Sequence, residues 1–420
     1  MSEAKHYYQD NSLFLEGINL NDIAAEHGTP CYVYSKSAIE EAWTEYDHSF
    51  GSAPHLVCYA VKANSNIAIL NLLAKLGSGF DIVSLGELER VLAANGDPGK
   101  VIFSGVGKKE DEIKRALEVG IKCINIESEQ ELYRVRDVAA SMGVKAPISL
   151  RVNPNVDAKT HPYISTGLKE NKFGVDIDEA LRIYIDASKM DNIEITGVDC
   201  HIGSQLTDDS PYFDAIDKLI ILMDKLKENG INLHHIDIGG GLGICYDDET
   251  PPAKGEYVKR LVAALAEQGL EIIVEPGRSI VGNAGYFLTT VEFLKANEEK
   301  NFAIVDGAMN DLLRPSLYSA WQRIIPVKEI GTAESKVYDV VGPVCETGDF
   351  LGKERELAIE PGDILAVCSA GAYGFSMSSN YNSRPKVAEI IVDNETAHVI
   401  RKRETIKEMF AAEELLPLSS

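Results

Sequence analysis

The amino-acid sequence predicts an α/β fold, a (β/α)8 TIM-like barrel with a second, mainly β domain. Short apolar runs alternate with amphipathic helical stretches up to about residue 284, which is typical of parallel strands joined by helices. Eight such units fit this length, as a closed barrel of this type requires. After residue 285, strand-like runs follow one another with little helix between them.

The predicted barrel strands are short runs rich in β-branched and aromatic residues, as buried strands are. They are residues 55–61, 79–83, 101–104, 122–126, 147–152, 194–200, 234–238 and 271–275. Several of the helical stretches between them end in glycine, a common helix stop. An open, doubly wound parallel sheet is the alternative that this pattern allows.

The change of pattern also predicts the domain boundaries. The barrel is expected over residues 36–284. The runs FAIVDGAM, KVYDVVGPVC, DILAVCSAGAY and KVAEIIVDN predict strands of the β domain. Residues 1–35 carry the strand-like pieces SLFLEGI and PCYVYS, so the β domain is expected to comprise residues 1–35 and 285–420.

Composition narrows the function classes. The net charge of −24 disfavours nucleic acid or an anionic membrane as a partner, since both bind basic surfaces. Seven cysteines without a C-x-x-C pair indicate reduced thiols, and neither a disulfide framework nor a metal site. No signal-peptide pattern and no apolar run near 18 residues is seen. A cytoplasmic protein is expected.

Polar residues lie at or near the carboxyl ends of the predicted strands, at the end of a barrel where function is found. Lys62 directly follows an apolar strand, where an unpaired charge is costly. Each residue alone has an ordinary structural interpretation, but their convergence indicates a site. They are Lys62, Asp81, Ser104, Glu127, Asn153, His201, Gly239 to Gly241 and Glu275.

The glycine run IDIGGGLG, residues 236–243, predicts a phosphate pocket. Glycine lets backbone N–H groups approach an anion, and a helix starting here would add its dipole. The spacing fits neither G-x-G-x-x-G nor G-x-x-x-x-G-K-[ST], so a nucleotide loop is not expected. A pocket for a single phosphate group is the prediction, with a tight turn as the alternative.

A reactive lysine and a phosphate pocket together suggest pyridoxal 5'-phosphate, whose aldehyde a lysine can bind covalently. The His201 imidazole could stack on the ring. Glu275, in VEPGRS, is placed to pair with the pyridine nitrogen and strengthen its capacity to accept electrons. Arg278 could hold a substrate carboxylate bidentately.

Several longer motifs carry a resemblance that covers nearly the whole chain. The sequence resembles the diaminopimelate decarboxylase family, within the alanine-racemase-like, fold-type III pyridoxal-phosphate enzymes. YAVKAN alone would mark only this wider class. The motifs are YAVKAN (59–64), HIGSQ (201–205), GGGLG (239–243), EPGR (275–278), MNDLLRPSLY (309–318), GPVCETGDF (342–350) and GAYGFSMSSNYNSRP (371–385).

The resemblance implies roles for the motif residues. Lys62 would be the lysine that binds the cofactor, His201 would stack on its ring and Glu275 would meet its nitrogen. The remaining cofactor-binding residues would be Ser204, Gly239, Gly240, Gly241, Gly277, Arg278 and Tyr373. The substrate-binding residues would be Arg278, Arg314, Tyr318, Glu346 and Tyr373.

The resemblance also implies a homodimer with shared active sites. Cys345 and Glu346 would come from the second subunit, Cys345 as the proton donor after CO2 leaves and Glu346 against the distal ammonium of the substrate. Lys62, His201 and Cys345 would be the catalytic residues. The segment 161–174 resembles a mobile active-site loop, which could exclude water by closing.

The expected reaction is decarboxylation of meso-2,6-diaminopimelate to L-lysine and CO2, the last step of lysine biosynthesis. One alternative is a decarboxylase for ornithine, arginine or carboxynorspermidine, which lack the same distal carboxylate. Another is an alanine-racemase-like enzyme, which would prefer a basic residue where EPGR supplies an acid. A non-catalytic, cofactor-binding homologue is the third.

Overall fold

The structure is a computed structural model that describes residues 5–156, 172–329 and 334–417. The chain divides into two compact units. Unit 1 contains Glu40–Ile280, and unit 2 contains Glu3–Ile39 and Val281–Ser420. Each unit is built around its own sheet, a parallel one in unit 1 and a mixed one in unit 2.

The amino-terminal elements supply strands to unit 2 and lead into unit 1. A small antiparallel sheet, β1-β2-β3, forms first, and β4 joins the large sheet of unit 2. The elements are β1 (His6–Gln9), β2 (Ser12–Leu15), β3 (Ile18–Asn19), α1 (Leu20–His27), β4 (Cys31–Ser35) and α2 (Lys36–Ser49).

Unit 1 is a closed barrel of eight parallel strands, which confirms the predicted fold class. The last strand, β13, pairs with the first, β5, so the sheet has no free edge and the open-sheet alternative is excluded. The strands are β5 (His55–Ala60), β6 (Gly79–Ile82), β7 (Val101–Phe103), β8 (Cys123–Ile126), β9 (Ala146–Asn153), the short extra β10 (Val175–Asp176), β11 (Ile193–Asp199), β12 (His235–Asp237) and β13 (Glu271–Val274).

Three helices of unit 1, α3, α4 and α6, begin at a side-chain cap. Asn66, Ser84 and Ser128 each accept a backbone N–H of the first turn through their side chains, which satisfies groups the helix leaves unpaired. The helices are α3 (Ile67–Leu76), α4 (Leu85–Ala93), α5 (Glu110–Val119), α6 (Glu129–Met142), α7 (Ile177–Ala187), α8 (Ser210–Glu228), α9 (Lys254–Leu265) and α10 (Arg278–Val281).

Unit 2 is mainly β, as the sequence predicts. Its large sheet has the order β18-β17-β15-β14-β4-β20-β21, with β19 paired to both β14 and β16. The elements are β14 (Gly285–Ala296), β15 (Asn301–Val305), α11 (Arg314–Tyr318), β16 (Ile324–Pro326), β17 (Lys336–Val341), β18 (Phe350–Leu357), β19 (Ile364–Val367), β20 (Ala388–Asp393), β21 (Thr396–Arg401) and α12 (Ile406–Met409).

The core of unit 2 is formed by apolar residues of β2, β4, β14, β19 and β20. They alternate along the strands, so one face of the sheet is buried. Across the described parts of the chain, no helix combines the length and apolarity needed to cross a membrane.

Candidate active site

Lys62 lies in the single 3-10 turn, Val61–Ala63, that follows β5. Its side chain is 37% exposed, whereas that of Asp81, in β6, is fully buried. The Lys62 Nζ lies 2.5 Å from Oδ2 of Asp81. This ion pair compensates the buried carboxylate, which would be costly without a partner, and it keeps the amine at the carboxyl end of the barrel.

The turn that carries Lys62 is held by its neighbours. The Tyr59 phenol donates to the Asn64 carbonyl at 3.0 Å. The Asn64 side chain accepts the Asn66 N–H at 3.1 Å, and Asn66 in turn caps α3 by accepting the Ala68 N–H at 3.0 Å. The backbone on both sides of the lysine is therefore fixed by hydrogen bonds.

Three buried carboxyl groups, those of Asp199, Asp237 and Glu275, lie at the ends of the neighbouring strands β11, β12 and β13. One oxygen of each lies within 4.8 Å of the others. Burial, followed by the charges of the neighbouring carboxylates, raises the pKa of Asp199 and Glu275 well above the ordinary value. Burial also raises the pKa of Asp237 to about 7. The cluster therefore retains protons near neutral pH.

The oxygens of this cluster show what a ligand would meet. Asp237 accepts the Gly239 N–H at 2.8 Å and is hydrogen-bonded to Glu275. The Oε1 atom of Glu275 is buried and has no hydrogen-bond partner among the described residues. An unsatisfied buried carboxyl oxygen is costly, and the ring N–H of pyridoxal phosphate is a donor that would satisfy it. The residues present therefore fit the predicted cofactor.

The pKa of Asp237 predicts how the stability of the cofactor-free protein depends on pH. Because this pKa rises from 3.8 to about 7 on folding, the folded state loses stability as the pH rises through that interval. Asp237→Asn keeps an acceptor for the Gly239 N–H but cannot ionise. Its gain in Tm over the wild type should be larger at pH 8 than at pH 5 by roughly 2–4 °C. Thermal unfolding at the two pH values measures this, and a gain independent of pH would contradict it.

His201 lies beside the glycine run. Its Nδ1 accepts the Gly240 N–H at 3.1 Å, which leaves the ring proton on Nε2. Burial, and then the charges of Arg151 and Lys62, lower the pKa of His201 well below its usual range. The imidazole is therefore neutral. A neutral ring is compatible with the predicted stacking of His201 on the cofactor.

The glycine run packs too tightly for any side chain. An added Cβ would lie 2.1 Å from the Glu275 carbonyl oxygen at Gly240, and 2.2 Å from the Gly203 carbonyl oxygen at Gly241. Gly241 also has φ of +112°, which L residues rarely adopt. The glycines therefore allow the backbone of this run to pack directly against the carboxyl end of β13, where Glu275 lies.

No helix begins at the glycine run, so the dipole that a helix would have added is absent. The chain continues as a loop, and the next helix, α9, begins only at Lys254. The Leu206 N–H donates to the Gly241 carbonyl and the Gly243 N–H donates to the Leu206 carbonyl, both at 2.9 Å. These bonds to the loop after β11 replace the ones that a helix would form. A phosphate here would meet loop N–H groups without a helix dipole.

Arg278 and Ser204 are brought together beside this loop. The buried Arg278 guanidinium donates to the Ser204 hydroxyl at 3.0 Å and to the Tyr246 phenol at 2.6 Å. Gly277 lets α10 approach the Lys62 turn, because an added Cβ would lie 3.0 Å from two alanine side chains there. Tyr246 has no motif around it, and sequence reasoning missed it.

Glu127, predicted as a strand-end residue, belongs to a buried ion pair. Its carboxylate accepts from the Arg151 guanidinium at 2.9 Å, from the Gly105 N–H at 3.2 Å and from the Gly174 N–H at 2.8 Å. Arg151 also reaches the His201 carbonyl oxygen at 3.4 Å. Arg151 was missed, although a charge inside the apolar run PISLRV was the available signal.

Two further strand-end residues have local partners. The Ser104 hydroxyl accepts from the Asn125 side chain at 3.2 Å, and the Asn153 side chain accepts the Asn155 N–H at 3.0 Å. These bonds support the ends of β7, β8 and β9. Most of the predicted active-site loop, residues 161–171, lies outside the described residues.

In unit 2, Cys345 and Glu346 are exposed in the loop between β17 and β18. Cys245 is the other exposed cysteine of the seven. Arg314 starts α11 and is buried, with its guanidinium carbon 5.8 Å from the centre of the Tyr318 ring.

Tyr373 has φ of +55°, an uncommon conformation for a residue other than glycine that accompanies functional sites. It belongs to unit 2 together with Arg314, Tyr318, Cys345 and Glu346, whereas Lys62 belongs to unit 1. That these residues meet Lys62 in one site stays a prediction.

A family model described as "Pyridoxal-dependent decarboxylase, pyridoxal binding domain" matches residues 36–282. This range holds all eight barrel strands with Lys62, His201 and Glu275. The fold and this match define the class as the pyridoxal-dependent decarboxylases.

Individual relatives narrow the class. The curated diaminopimelate decarboxylase of Vibrio cholerae is 58% identical over 413 residues, 98% of this chain and 99% of the relative. The crystal structure of diaminopimelate decarboxylase from Helicobacter pylori complexed with L-lysine is 46% identical, with a TM-score of 0.90 over 94% of this chain and 99% of that chain. The corresponding M. jannaschii structure with L-lysine is 37% identical, with a TM-score of 0.94 over 98% of both chains. The chain belongs to the diaminopimelate decarboxylase family.

Proposed function

We propose that the chain catalyses the pyridoxal-phosphate-dependent decarboxylation of meso-2,6-diaminopimelate to L-lysine and CO2, the last step of lysine biosynthesis. The names of the relatives support the substrate, and the L-lysine in two related structures supports the product. The observation that carries the chemistry is the placement of Lys62 near the buried Glu275, whose Oε1 lacks a partner among the described residues.

The cofactor contacts follow from the residues of the barrel end. When bound, pyridoxal phosphate supplies an aldehyde for the substrate amine and a ring that accepts the electron pair left when CO2 departs. Lys62 would bind the aldehyde covalently, Glu275 would accept the ring N–H and the neutral His201 would lie against the ring. The phosphate would be held by Ser204, the backbone of Gly239, Gly240 and Gly241, and Tyr373. Gly277 and Arg278 would complete the set of cofactor-binding residues.

Substrate recognition requires groups that read a second amino-acid centre, with both a carboxylate and an ammonium. Arg278 and Arg314 supply guanidinium groups that match a carboxylate bidentately, and Glu346 supplies the charge for the ammonium. Tyr318 and Tyr373 would add hydrogen bonds. Ornithine and arginine lack the distal carboxylate, so this set favours diaminopimelate over them.

Arg314→Ala should weaken the use of meso-diaminopimelate. Losing one partner of a desolvated charge pair costs about 2–5 kcal/mol, so kcat/KM should fall by roughly 10²-fold. Steady-state kinetics measures this, with Arg136→Ala, an exposed arginine of α6, as the matched control. If Arg314→Ala kept a kcat/KM near the wild-type value, its assignment would be wrong.

Cys345 is proposed as the proton donor. When the bond between Cα and the carboxylate breaks, the electron pair stays with the substrate carbon, and CO2 leaves. The Cys345 thiol then gives its proton to Cα, and the resulting thiolate takes a proton back from water. The exposure of Cys345 and Glu346 in the single chain is consistent with a loop that serves the site of a second subunit. We therefore propose a homodimer with shared active sites.

Mixing two inactive variants tests the shared site. Lys62→Arg and Cys345→Ala, each inactive alone, should recover about a quarter of the wild-type activity after subunit exchange, since half of the dimers then hold one intact site. Lys62→Arg mixed with Glu275→Gln is the control, because both changes lie in unit 1 and no intact barrel remains. No recovery in the first mixture, with exchange proven by differently tagged subunits, would contradict the shared site.

The remaining proposals concern organisation and location. Residues 36–284 are proposed as the cofactor-binding barrel domain, and residues 1–35 and 285–420 as the β domain. The acidic net charge and free thiols support a cytoplasmic enzyme that binds small molecules and neither nucleic acid nor membrane.

A further inference from the structure

The backbone of Cys345 is held by a turn that lies far along the chain. The Cys345 N–H donates to the Asn382 side-chain oxygen at 3.0 Å. The neighbouring Tyr381 phenol is hydrogen-bonded to the Glu346 carboxylate. One short turn, residues 380–384, therefore contacts both residues that are proposed to act on the substrate from this loop.

The backbone of the 380–384 turn directs the Asn382 side chain. Asn382 has φ of 55° and ψ of 26°, and Ser383 has φ of 54°. Two successive residues in the left-handed region are uncommon outside glycine, and asparagine tolerates this conformation better than most. The backbone is therefore locally strained at Asn382 and Ser383. This conformation places the side-chain oxygen of Asn382 against the Cys345 N–H.

The 380–384 turn is itself anchored inside unit 2. The Arg384 guanidinium donates to the Asn310 side chain at 2.9 Å and to the Asp306 carbonyl at 2.5 Å. The Asn380 side chain donates to the Glu404 carboxylate at 2.6 Å. Both ends of the turn are fixed, so the position of Asn382 is set by the sheet and loops beneath it.

Both sides of the Cys345 loop are held by other residues. The Asp349 carboxylate accepts the Val344 N–H and the Met309 N–H, both at 2.7 Å. The Ser316 hydroxyl donates to the Gly348 carbonyl at 2.6 Å. The exposed segment between these anchors carries Cys345 and Glu346, and Asn382 holds the backbone N–H of Cys345 itself.

We propose that Asn382 is a positioning residue for Cys345, which fixes the orientation in which the thiol is presented to the substrate carbon. The inference rests on the proposed function, because it takes Cys345 as the proton donor. Proton transfer requires the donor within hydrogen-bond reach of its target, and a displacement of about 1 Å can cost 10²-fold in rate. Glu346, the substrate-binding residue of the same loop, keeps its own bond to Tyr381 when Asn382 is changed, so the effect belongs mainly in kcat.

Asn382→Gly is the decisive variant, since glycine adopts the same backbone conformation without the acceptor. In the holoenzyme, kcat should fall by about tenfold or more while KM stays within about threefold. The solvent deuterium isotope effect on kcat should increase, because proton delivery becomes slower. Asn382→Asp keeps both the acceptor and the tolerance for this conformation, and it should retain most of the wild-type kcat.

The reactivity of the thiol gives a readout independent of turnover. In the Asn382→Gly holoenzyme, iodoacetamide should alkylate Cys345 at least about threefold faster than in the wild type, as a released loop exposes the thiol more often. Peptide mass spectrometry separates Cys345 from Cys245, the other exposed cysteine, which serves as the internal reference. Asn382→Ser, whose hydroxyl is too short to reach the N–H, should behave like Asn382→Gly and replaces it if the glycine variant does not fold.

Cys345→Ser distinguishes the proposed donor role of Cys345 from the proposed positioning role of Asn382. If Cys345→Ser loses activity while Asn382→Gly keeps the wild-type kcat, isotope effect and alkylation rate, the positioning role of Asn382 is wrong and the donor role stands. If Cys345→Ser keeps the wild-type kcat, the donor role itself is wrong, and the inference on Asn382 falls with it. A lower kcat and faster alkylation in Asn382→Gly, restored by Asn382→Asp, would support the inference.

Discussion

Lys62→Arg is expected to lower kcat by at least about 10³-fold, because the residue proposed to bind the cofactor and release the product is lost. The guanidinium stays charged at any working pH and cannot attack an aldehyde. It can still pair with Asp81, which is fully buried and 2.5 Å from the Lys62 amine. The fold should therefore be preserved. Alanine at this position would instead remove the ion-pair partner of the buried Asp81 carboxylate.

Two measurements accompany this variant. Borohydride reduction followed by mass spectrometry should find cofactor attached to the wild-type chain at Lys62 and none attached to Lys62→Arg. Lys259→Arg, an exposed lysine paired with Glu256 on α9, is the matched control and should leave kcat unchanged. Near wild-type turnover by Lys62→Arg would rule out the proposed role.

Glu275→Gln is expected to have the second-largest effect. Hydrogen bonds to charged groups contribute about 1.5–3 kcal/mol, so the Kd for pyridoxal phosphate should rise by roughly 10- to 100-fold. The same change weakens the ring as an electron acceptor, and kcat should fall by about 10²-fold or more. Glutamine is neutral and similar in shape, so it suits the cofactor-free site, where the glutamate retains its proton. With pyridoxal phosphate bound, the glutamate would give that proton to the ring nitrogen and become a carboxylate, which glutamine cannot do.

Glu271→Gln is the control for this variant, since Glu271 lies at the other end of the same strand, paired with Lys122. It should leave both cofactor affinity and kcat near their wild-type values. Cofactor titration followed by absorbance, together with turnover under saturating cofactor, separates the two effects. Unchanged cofactor affinity and turnover in Glu275→Gln would mean that another group meets the ring nitrogen.

The barrel could be predicted because parallel strands buried on both faces appear as short apolar runs. All eight runs are strands in the structure, within about two residues at their ends, as is usual for such boundaries. The runs could not show whether the sheet closes into a barrel. Only the pairing of β13 with β5 distinguishes a barrel from an open sheet, and that pairing joins residues more than 200 positions apart.

The site was predicted only in part. Lys62 and Glu275 were evident because each lies where an apolar run ends. Asp237 and Asp199 were missed because they lie inside such runs, where a single acid does not reveal whether it points into a site. The structure brings the two aspartates next to Glu275. Burial is the main cause that raises the pKa of both aspartates, and the neighbouring Asp237 carboxylate adds to the rise at Asp199.

Loop conformation was the other feature that could not be predicted from the sequence. The sequence did not show whether a helix begins at Gly239 to Gly241, and in the structure the loop after β11 supplies the hydrogen-bond partners instead. Likewise, no local pattern links Cys345 to Asn382, which are 37 positions apart and meet through a side-chain acceptor. Contacts of this kind depend on the tertiary fold and leave no periodic trace in the sequence.

The most direct test of the central claim is CO2 release by the purified protein with pyridoxal phosphate, offered meso-diaminopimelate, ornithine, arginine and carboxynorspermidine separately. We expect a strong preference for meso-diaminopimelate, with L-lysine as the product. Preference for another amine would contradict the roles of Arg278, Arg314 and Glu346 but leave Lys62 and the phosphate pocket in place. No release from any of them, with cofactor bound, would contradict the proposed function itself.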